Sequence, residues 1–215
     1  MNIFGDLSGY YKTFLKLLEK MPDEEPISLG DLNDRGPRTK ELFDFFKNKG
    51  KVILGNHEHM MLDFLHGEKY YEEGFWYDTW GKETLLSFQV NDDVRDLQAM
   101  EEYRIWLESL PFFLEYDDIL LTHAPLNPSI NLQEALNLGD DYLSHECDLS
   151  IVWNRVYPNK RREKFMAFGH NTGAEVRWFK DDEGPYGVCL DTSGYGVVTG
   201  MHWPSMKIYQ QEIID

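Results

Sequence analysis

An α/β fold is what the sequence predicts, and three observations predict it. Short apolar runs recur along the 215 residues, each ending in Gly-Asp, Gly-Asn or a His. Between them lie segments whose apolar residues are spaced as on one face of a helix. From Gly173 onward, strand-like runs follow one another without a helical segment between them.

The first apolar run is Ile3-Phe4-Gly5-Asp6. Tyr11, Phe14, Leu15 and Leu18 then fall at i, i+3, i+4 and i+7, one side of a first helix. Ile27-Ser28-Leu29-Gly30-Asp31 is the second strand. Pro37 suits the start of the next helix, where its missing N–H would have no partner anyway, and Leu42, Phe45 and Phe46 supply that helix with an apolar face. Val52-Ile53-Leu54-Gly55-Asn56 is the third strand, and Ile119 to His123 and Phe165 to His170 are two more. Residues 68–109 are rich in Tyr, Trp, Glu and Asp with broken periodicity, which predicts a largely helical insertion beside the sheet. Runs separated by Asp181-Asp182-Glu183-Gly184-Pro185 and by Ser193-Gly194 predict an antiparallel set that closes the domain. With no repeat and no linker, a single domain over 1–215 is expected.

Composition narrows the functional classes. With 42% hydrophobic and 27% charged residues the chain is globular rather than disordered. Thirty-eight acids against 21 bases give a formal charge of -17, which repels phosphate backbones and anionic membranes, so neither extended nucleic acid nor a membrane is an expected partner. Cys147 and Cys189 form no CxxC pair, which fits two buried thiols in a reducing compartment. Met1 to Lys12 shows no basic and then apolar leader, and no stretch of about 18 apolar residues occurs, so a soluble cytoplasmic monomer or small homo-oligomer is expected.

In α/β sheets, ligands bind beyond the carboxyl ends of the strands, and here five such ends carry Asp6, Asp31, Asn56, His123 and His170. Hard oxygen donors mixed with imidazoles suit Mn, Fe, Zn or Ni better than an all-oxygen calcium site. Each residue alone reads as a helix cap or a satisfied core group. Five at successive strand ends read as a metal centre.

These residues also carry a resemblance. Gly30-Asp31-Leu32-Asn33-Asp34-Arg35-Gly36 is similar to the GDxxDRG motif of the calcineurin-like metallophosphoesterases, and Gly55-Asn56-His57-Glu58 to their GNHE. Leu121-Thr122-His123-Ala124 and Phe168-Gly169-His170-Asn171-Thr172 resemble two further blocks, and the likeness is nearest to bacterial and bacteriophage serine/threonine protein phosphatases. The resemblance implies a two-sheet α/β/β/α sandwich holding two divalent ions, Mn first, with Fe, Zn, Ni or Mg as alternatives. It implies that Asp31 bridges the two ions, that Asn56, His123 and His170 hold the second and that Asp6 holds the first. The implied reaction is hydrolysis of a phosphate ester by in-line attack of a metal-activated water. His57 would act on the leaving oxygen, oriented by Asp34, while Arg35 and Arg155 would bind the phosphoryl oxygens. Arg155 reads alternatively as part of a solvated basic turn with Lys160, Arg161 and Arg162.

One departure matters. Where the family's first motif reads GDxHG, this chain has Gly5-Asp6-Leu7-Ser8-Gly9, so Ser8 stands in the place of a metal-binding histidine. A neutral hydroxyl is the poorer ligand, which implies a weaker first site or a harder ion such as Mn or Mg. Three readings follow: an active enzyme with an adapted first site, a low-activity mononuclear enzyme, or a non-catalytic metal- or phosphate-binding module. The substrates implied are phosphoserine or phosphothreonine in proteins, small phosphate esters, or dinucleoside tetraphosphates cleaved symmetrically. Tyr70, Tyr71, Phe75, Trp76, Tyr77 and Trp80 read either as a stacking platform for a base or as packed core. His59, His66, His145 and His202 match no motif, and Asp191 to Gly194 reads as a structural turn.

Overall fold

Two five-stranded mixed sheets stack face to face in the computed structural model, which describes residues 1–66, 76–91, 94–95, 97–136 and 149–215. The strands are β1 (Asn2–Phe4), β2 (Pro26–Ser28), β3 (Lys51–Val52), β4 (Gln89–Asn91), β5 (Val94–Arg95), β6 (Phe113–Glu115), β7 (Ile119–Thr122), β8 (Phe165–Phe168), β9 (Arg177–Asp181), β10 (Gly184–Cys189), β11 (Val197–His202) and β12 (Lys207–Glu212). The helices are α1 (Tyr11–Leu18), α2 (Thr39–Lys49), α3 (Asn56–His66), α4 (Lys82–Ser87), α5 (Leu97–Glu108) and α6 (Leu132–Leu136), with a π-helical turn at Tyr77–Gly81 leading into α4.

The first sheet has the order β12-β11-β1-β2-β3 and the second β6-β7-β8-β10-β9. Each contains three mutually parallel strands: β1, β2 and β3 in one, with antiparallel β11 beside β1, and β7, β8 and β10 in the other, with antiparallel β6 and β9 on its two sides. Both faces of each sheet are covered, which is why these strands read as continuous apolar runs rather than alternating ones. Their side chains nevertheless alternate in direction. Ile3, Ile27, Leu29 and Ile53 meet Ile119, Leu121, Ala167, Val188 and Leu190 between the sheets. Phe4 points outward onto α1 and α2, while Leu120, Met166, Phe168 and Cys189 point outward on the other side, toward Leu126, Ala135, Ile151 and Val152. Phe14 of α1 sits edge-on to Phe4 at 5.1 Å, and truncating so buried a ring to Ala costs about 3–5 kcal/mol.

The helix faces differ in detail from the sequence reading. α1 buries Phe14 and Leu17 fully, leaving Tyr11, Leu15 and Leu18 at the rim of the core. α2 buries Leu42, Phe43 and Phe46, and Phe45 lies on its flank, edge-on to Phe14. Phe43 is covered because Phe88, Tyr103 and Trp106 reach it from residues 88–106, which widens the buried face beyond what the spacing of α2 alone can show.

The expected antiparallel closing set is divided between the sheets. β9 and β10 form a hairpin in the second sheet, where β10 also runs parallel to β8, whereas β11 and β12 belong to the first. The chain therefore crosses from one sheet to the other through Leu190–Gly196, over the strand ends. Of the segment expected to be a largely helical insertion, residues 68–75, 92–93 and 96 lie outside the described residues. The remainder includes a β4–β5 hairpin besides its helices, because Gln89 pairs with Arg95 and Asn91 with Val94. Among the described residues, no helix is long and apolar enough to cross a membrane.

Candidate metal centre

The turns that follow the parallel strands are bent by residues in the left-handed region. Ser8 (φ 46°), Asp31 (φ 53°), Asp34 (φ 68°), Arg35 (φ 58°) and His170 (φ 61°) are all non-glycine residues there, each at a cost on the order of 1–3 kcal/mol. Such strain persists only where the surroundings impose it, and here backbone bonds do so. Leu7 and Ser8 both donate N–H to the Asp31 carbonyl, at 3.1 and 2.8 Å, and Gly9 donates to Leu32 at 2.7 Å. The buried Glu58 carboxylate accepts the N–H groups of Asp31 (2.8 Å), Leu32 (2.6 Å) and Gly55 (2.9 Å), tying the turn after β2 to the turn after β3. Burial, then the Asp31 charge, push the Glu58 carboxyl up to about 8, against the pull of those N–H bonds. Gly55 and Gly169 admit no side chain, since a Cβ would lie 2.2 Å from Asp31 Oδ1 and 2.3 Å from Asp6 Oδ1 respectively.

Donor atoms of Asp31, His123 and His170 all lie within 4.8 Å of one another, and all three residues are buried. Asn56 Oδ1 sits between the rings, 2.9 Å from His123 Nε2 and 2.8 Å from His170 Nδ1. The outward nitrogens decide the protonation. His123 Nδ1 meets the Leu29 carbonyl at 2.7 Å and His170 Nε2 meets the Trp153 carbonyl at 3.2 Å, so each must donate there. Burial holds both rings below the ordinary histidine range, His170 well below it with help from His123 and Arg155, so each ring carries only that outward proton. Two imidazole lone pairs and an amide oxygen therefore converge beside the Asp31 carboxylate with no proton among them. That donor set fits a divalent transition ion, with each histidine fixed by a carbonyl behind it.

Asp6 lies alongside, its Oδ1 accepting the His170 N–H at 3.1 Å. Burial, then the carboxylates of Asp191 and Asp31, raise its pKa well above 3.8. Clustered acids of this kind are relieved by a cation, so Asp6 and Asp31 fit a second ion. Ser8 Oγ donates to Ser193 Oγ at 3.3 Å. Neither Asp191 nor Ser193 stood out in the sequence, where both read as part of a turn. Both are buried, because the sheet-to-sheet crossing lays them over the strand ends. Glu58 was likewise legible only as the last letter of a motif.

His57 Nδ1 meets Asp34 Oδ2 at 2.5 Å, and its Nε2 stands 3.8 Å from Asp31 Oδ2. Burial pulls the imidazole pKa down, but Asp31 and the hydrogen-bonded Asp34 outweigh it and raise it to about 9. Asp34 is in turn saturated. Trp76 Nε1 donates to Oδ2 at 2.9 Å, and Thr84 Oγ1 and Asn33 Nδ2 donate to Oδ1 at 2.8 and 3.2 Å. Trp80 lies edge-on to His57 at 5.6 Å. Of the aromatic cluster, Tyr70, Tyr71, Phe75 and the Tyr77 side chain lie outside the described residues. Trp76 is buried core, as the packing alternative held.

Two guanidinium groups border the cluster. Arg35 Nη1 is 3.3 Å from Ser193 Oγ, and Arg155 Nη1 is 3.3 Å from the His170 carbonyl and 3.5 Å from Asn171 Oδ1. Both arginines are exposed. Arg161 turns away to Asp181 and Arg162 to the Asn127 carbonyl, so Arg155 is separate from the basic run that follows it. The other histidines are engaged elsewhere: His59 with the Trp153 indole, His66 with Glu108, and His202 with Ser205 and Glu24. His145 and Cys147 lie outside the described residues. Cys189 is buried, and that burial pushes its thiol up to about 12.

The model of one family, described as calcineurin-like phosphoesterase, matches residues 2–203. Over 167 residues the chain is 29% identical to a symmetrical bis(5′-nucleosyl)-tetraphosphatase of Vibrio campbellii, covering 74% of this chain and 57% of that protein. The chain spans about half the length of the curated relatives it matches. Among solved structures, a candidate diadenosine tetraphosphatase superposes with a TM-score of 0.66 at 16% identity, over 100% of this chain and 93% of that one. A protein serine/threonine phosphatase from Saccharomyces cerevisiae superposes with a TM-score of 0.62 at 17% identity, over 100% and 80%. Both structures share the fold.

Proposed function

The chain belongs to the calcineurin-like phosphoesterase family, and from that premise we propose that it hydrolyses phosphate esters using divalent ions held where its parallel strands end. The carrying observation is the convergence of Asn56 Oδ1, His123 Nε2 and His170 Nδ1 beside Asp31, with each ring held from behind by a backbone carbonyl. Asp31, Asn56, His123 and His170 would hold one ion, and Asp6, Asp31 and Ser8 the other. Ions so placed lower the pKa of a water toward neutrality and offset charge on the phosphoryl oxygens.

This chain's own residues do the rest. Arg35 and Arg155 approach from two sides, and their forked donors match phosphoryl oxygens in pairs. His57, whose Nδ1 faces Asp34, presents Nε2 toward the metal-binding carboxylate and is placed to give a proton to the leaving oxygen. Asp34 holds the ring at the angle that this transfer needs. We read residues 68–109 as an insertion into one domain, and the contacts of Trp76 and Thr84 with Asp34 support that reading.

For the substrate, the names of the curated relatives support a dinucleoside tetraphosphate split symmetrically. The second reading is a phosphoserine or phosphothreonine in a protein, supported by the exposure of Arg35 and Arg155, which a bulky substrate reaches without entering a closed cavity. The deciding experiment incubates metal-stripped protein, reloaded with Mn, with p-nitrophenyl phosphate, diadenosine tetraphosphate and a phosphothreonine peptide between about pH 6 and 9. Phosphate or ADP release that requires the metal supports hydrolysis, and the ratio of kcat/KM values separates the two substrates. No release from any of them, with any divalent ion, refutes the reading and leaves a metal- or phosphate-binding module.

A further inference from the structure

We propose that Ser193 is a positioning residue for the first metal site: it accepts a hydrogen bond from the Ser8 hydroxyl and so turns the Ser8 oxygen lone pairs toward the cation. The assignment rests on the metal-dependent reading above, and concerns only how the chain manages without a histidine at position 8.

The Ser8 backbone is pinned. It is in the left-handed region, its N–H is bound to the Asp31 carbonyl at 2.8 Å and its own carbonyl accepts the Gly36 N–H at 2.8 Å. The side chain therefore starts from a fixed point beside the turn that carries Asp31. A serine hydroxyl has one proton and two lone pairs, and its value to a cation depends on where the proton goes. Pointed at the metal, the hydroxyl repels it.

Ser193 settles the direction through its own neighbours. Its Oγ donates to Asp191 Oδ1 at 2.9 Å, and the same carboxylate oxygen accepts the Ser193 backbone N–H at 3.0 Å. With its proton committed, Ser193 Oγ is left as an acceptor. Arg35 Nη1, which can only donate, takes one lone pair at 3.3 Å, and Ser8 Oγ–H takes the other at 3.3 Å. The string from Ser8 through Ser193 to Asp191 thus runs in one direction, as when a carbonyl or carboxylate behind a ligating imidazole fixes its tautomer. Ser8 and Ser193 are only 4% and 3% exposed, so no bulk water competes for either hydroxyl. A neutral, oriented oxygen suits a hard ion such as Mn or Mg. Arg35 shares the hydroxyl that orients Ser8, so the arm that would bind phosphate and the site that would bind metal meet at a single atom.

The test is a Mn titration of the full metal-stripped chain by calorimetry, with electron paramagnetic resonance reading the Mn environment. The natural chain should take Mn in two unequal steps. Ser193→Ala should weaken the weaker step by about tenfold and leave the tighter step within about twofold, the usual scale for removing a group behind a metal ligand. Ser8→Ala should weaken the same step, and adding Ser193→Ala to it should change nothing further, because Ser193 acts through Ser8. The assignment is overturned if Ser193→Ala leaves the weaker step intact, lowers both steps alike, or weakens binding further in the Ser8→Ala background. A single step in the natural chain also overturns it while sparing metal-dependent hydrolysis. No Mn binding of any kind defeats both readings.

Discussion

Trp76 donates its indole N–H to Asp34 Oδ2 at 2.9 Å, on the same carboxylate oxygen that meets His57 Nδ1. A residue 42 positions away thereby helps to fix the imidazole facing Asp31. Trp76→Phe keeps most of the buried ring and removes the donor. A hydrogen bond to a charged group contributes about 1.5–3 kcal/mol, and part of that reaches His57 through Asp34. The expected outcome is a kcat lowered about tenfold with KM nearly unchanged, since Trp76 touches no substrate. An unchanged kcat would show that Asp34 holds His57 without help from Trp76.

His57 itself gives a sharper test. If it protonates the leaving oxygen, His57→Ala should lower turnover by about 10²–10⁴ with an alkyl phosphate, whose leaving group needs the proton. With p-nitrophenyl phosphate the loss should be much smaller, because nitrophenolate leaves readily unprotonated. Equal losses on the two substrates would assign His57 to some other task, such as steadying Asp31 through the imidazole Nε2, 3.8 Å from Oδ2.

The convergence of Asp6, Asp31, Asn56, His123 and His170 was legible because each follows an apolar run that is covered on both faces, and parallel strands deliver their ends to one side of the fold. The pairing of Asp34 with His57 was legible through its motif. Ser193 and Asp191 were not, for a physical reason. Their neighbourhood depends on β10 and β11 belonging to different sheets, and nothing in the local sequence around Ser193-Gly194 says which sheet β11 joins. Trp76 and Thr84 reach Asp34 across 42 and 50 residues, a distance that periodicity does not address. Phe43 illustrates the same limit in the core: helical spacing singled out Phe45, whereas Tyr103 and Trp106 decide that Phe43 is the covered ring.

The glycine before His170 is a further check on the site. A Cβ at Gly169 would stand 2.3 Å from Asp6 Oδ1, far inside van der Waals contact, so Gly169→Ala must displace the Asp6 carboxylate or the turn that carries His170. Overpacking of this kind destabilises by about 1–3 kcal/mol. The expected result is a folded protein with a lowered Tm and Mn affinity reduced at least about tenfold, read by thermal denaturation and calorimetry. Native affinity in Gly169→Ala would place Asp6 outside the metal centre.

The last prediction concerns pH, and the buried groups whose pKa is raised by folding all carry one sign. Burial, then Asp191 and Asp31, hold Asp6 well above 3.8, and burial with Asp31 holds Glu58 at about 8. An acid whose pKa is raised by folding binds its proton more tightly in the folded state, so its stabilising contribution is present at low pH and is lost as pH climbs toward the folded value. His57, raised to about 9 from 6.5 by Asp31 and Asp34 against burial, stabilises fully below 6.5 and progressively less up to 9. His123 and His170 have the opposite sign, since burial holds both below the ordinary histidine range and their cost to folding fades as pH rises to about 6.5. Asp31 shares that opposite sign. Burial opposes its ionisation, but His123 and His57 hold it at about 2, so it stabilises above the usual carboxyl range and its loss falls below pH 4, outside the window. Above about pH 6.5, where both of those histidines are neutral folded or unfolded, metal-free protein should therefore lose Tm up to about pH 9. A divalent ion displaces the Asp6 proton and supplies the missing countercharge, so the gain in Tm on adding Mn should grow from pH 5 to pH 8. Where binding displaces a proton, the calorimetric enthalpy should change with the ionisation enthalpy of the buffer. A Tm gain that is constant or shrinks with rising pH would mean that Asp6 carries no displaceable proton, and the clustered carboxylates would then need another countercharge.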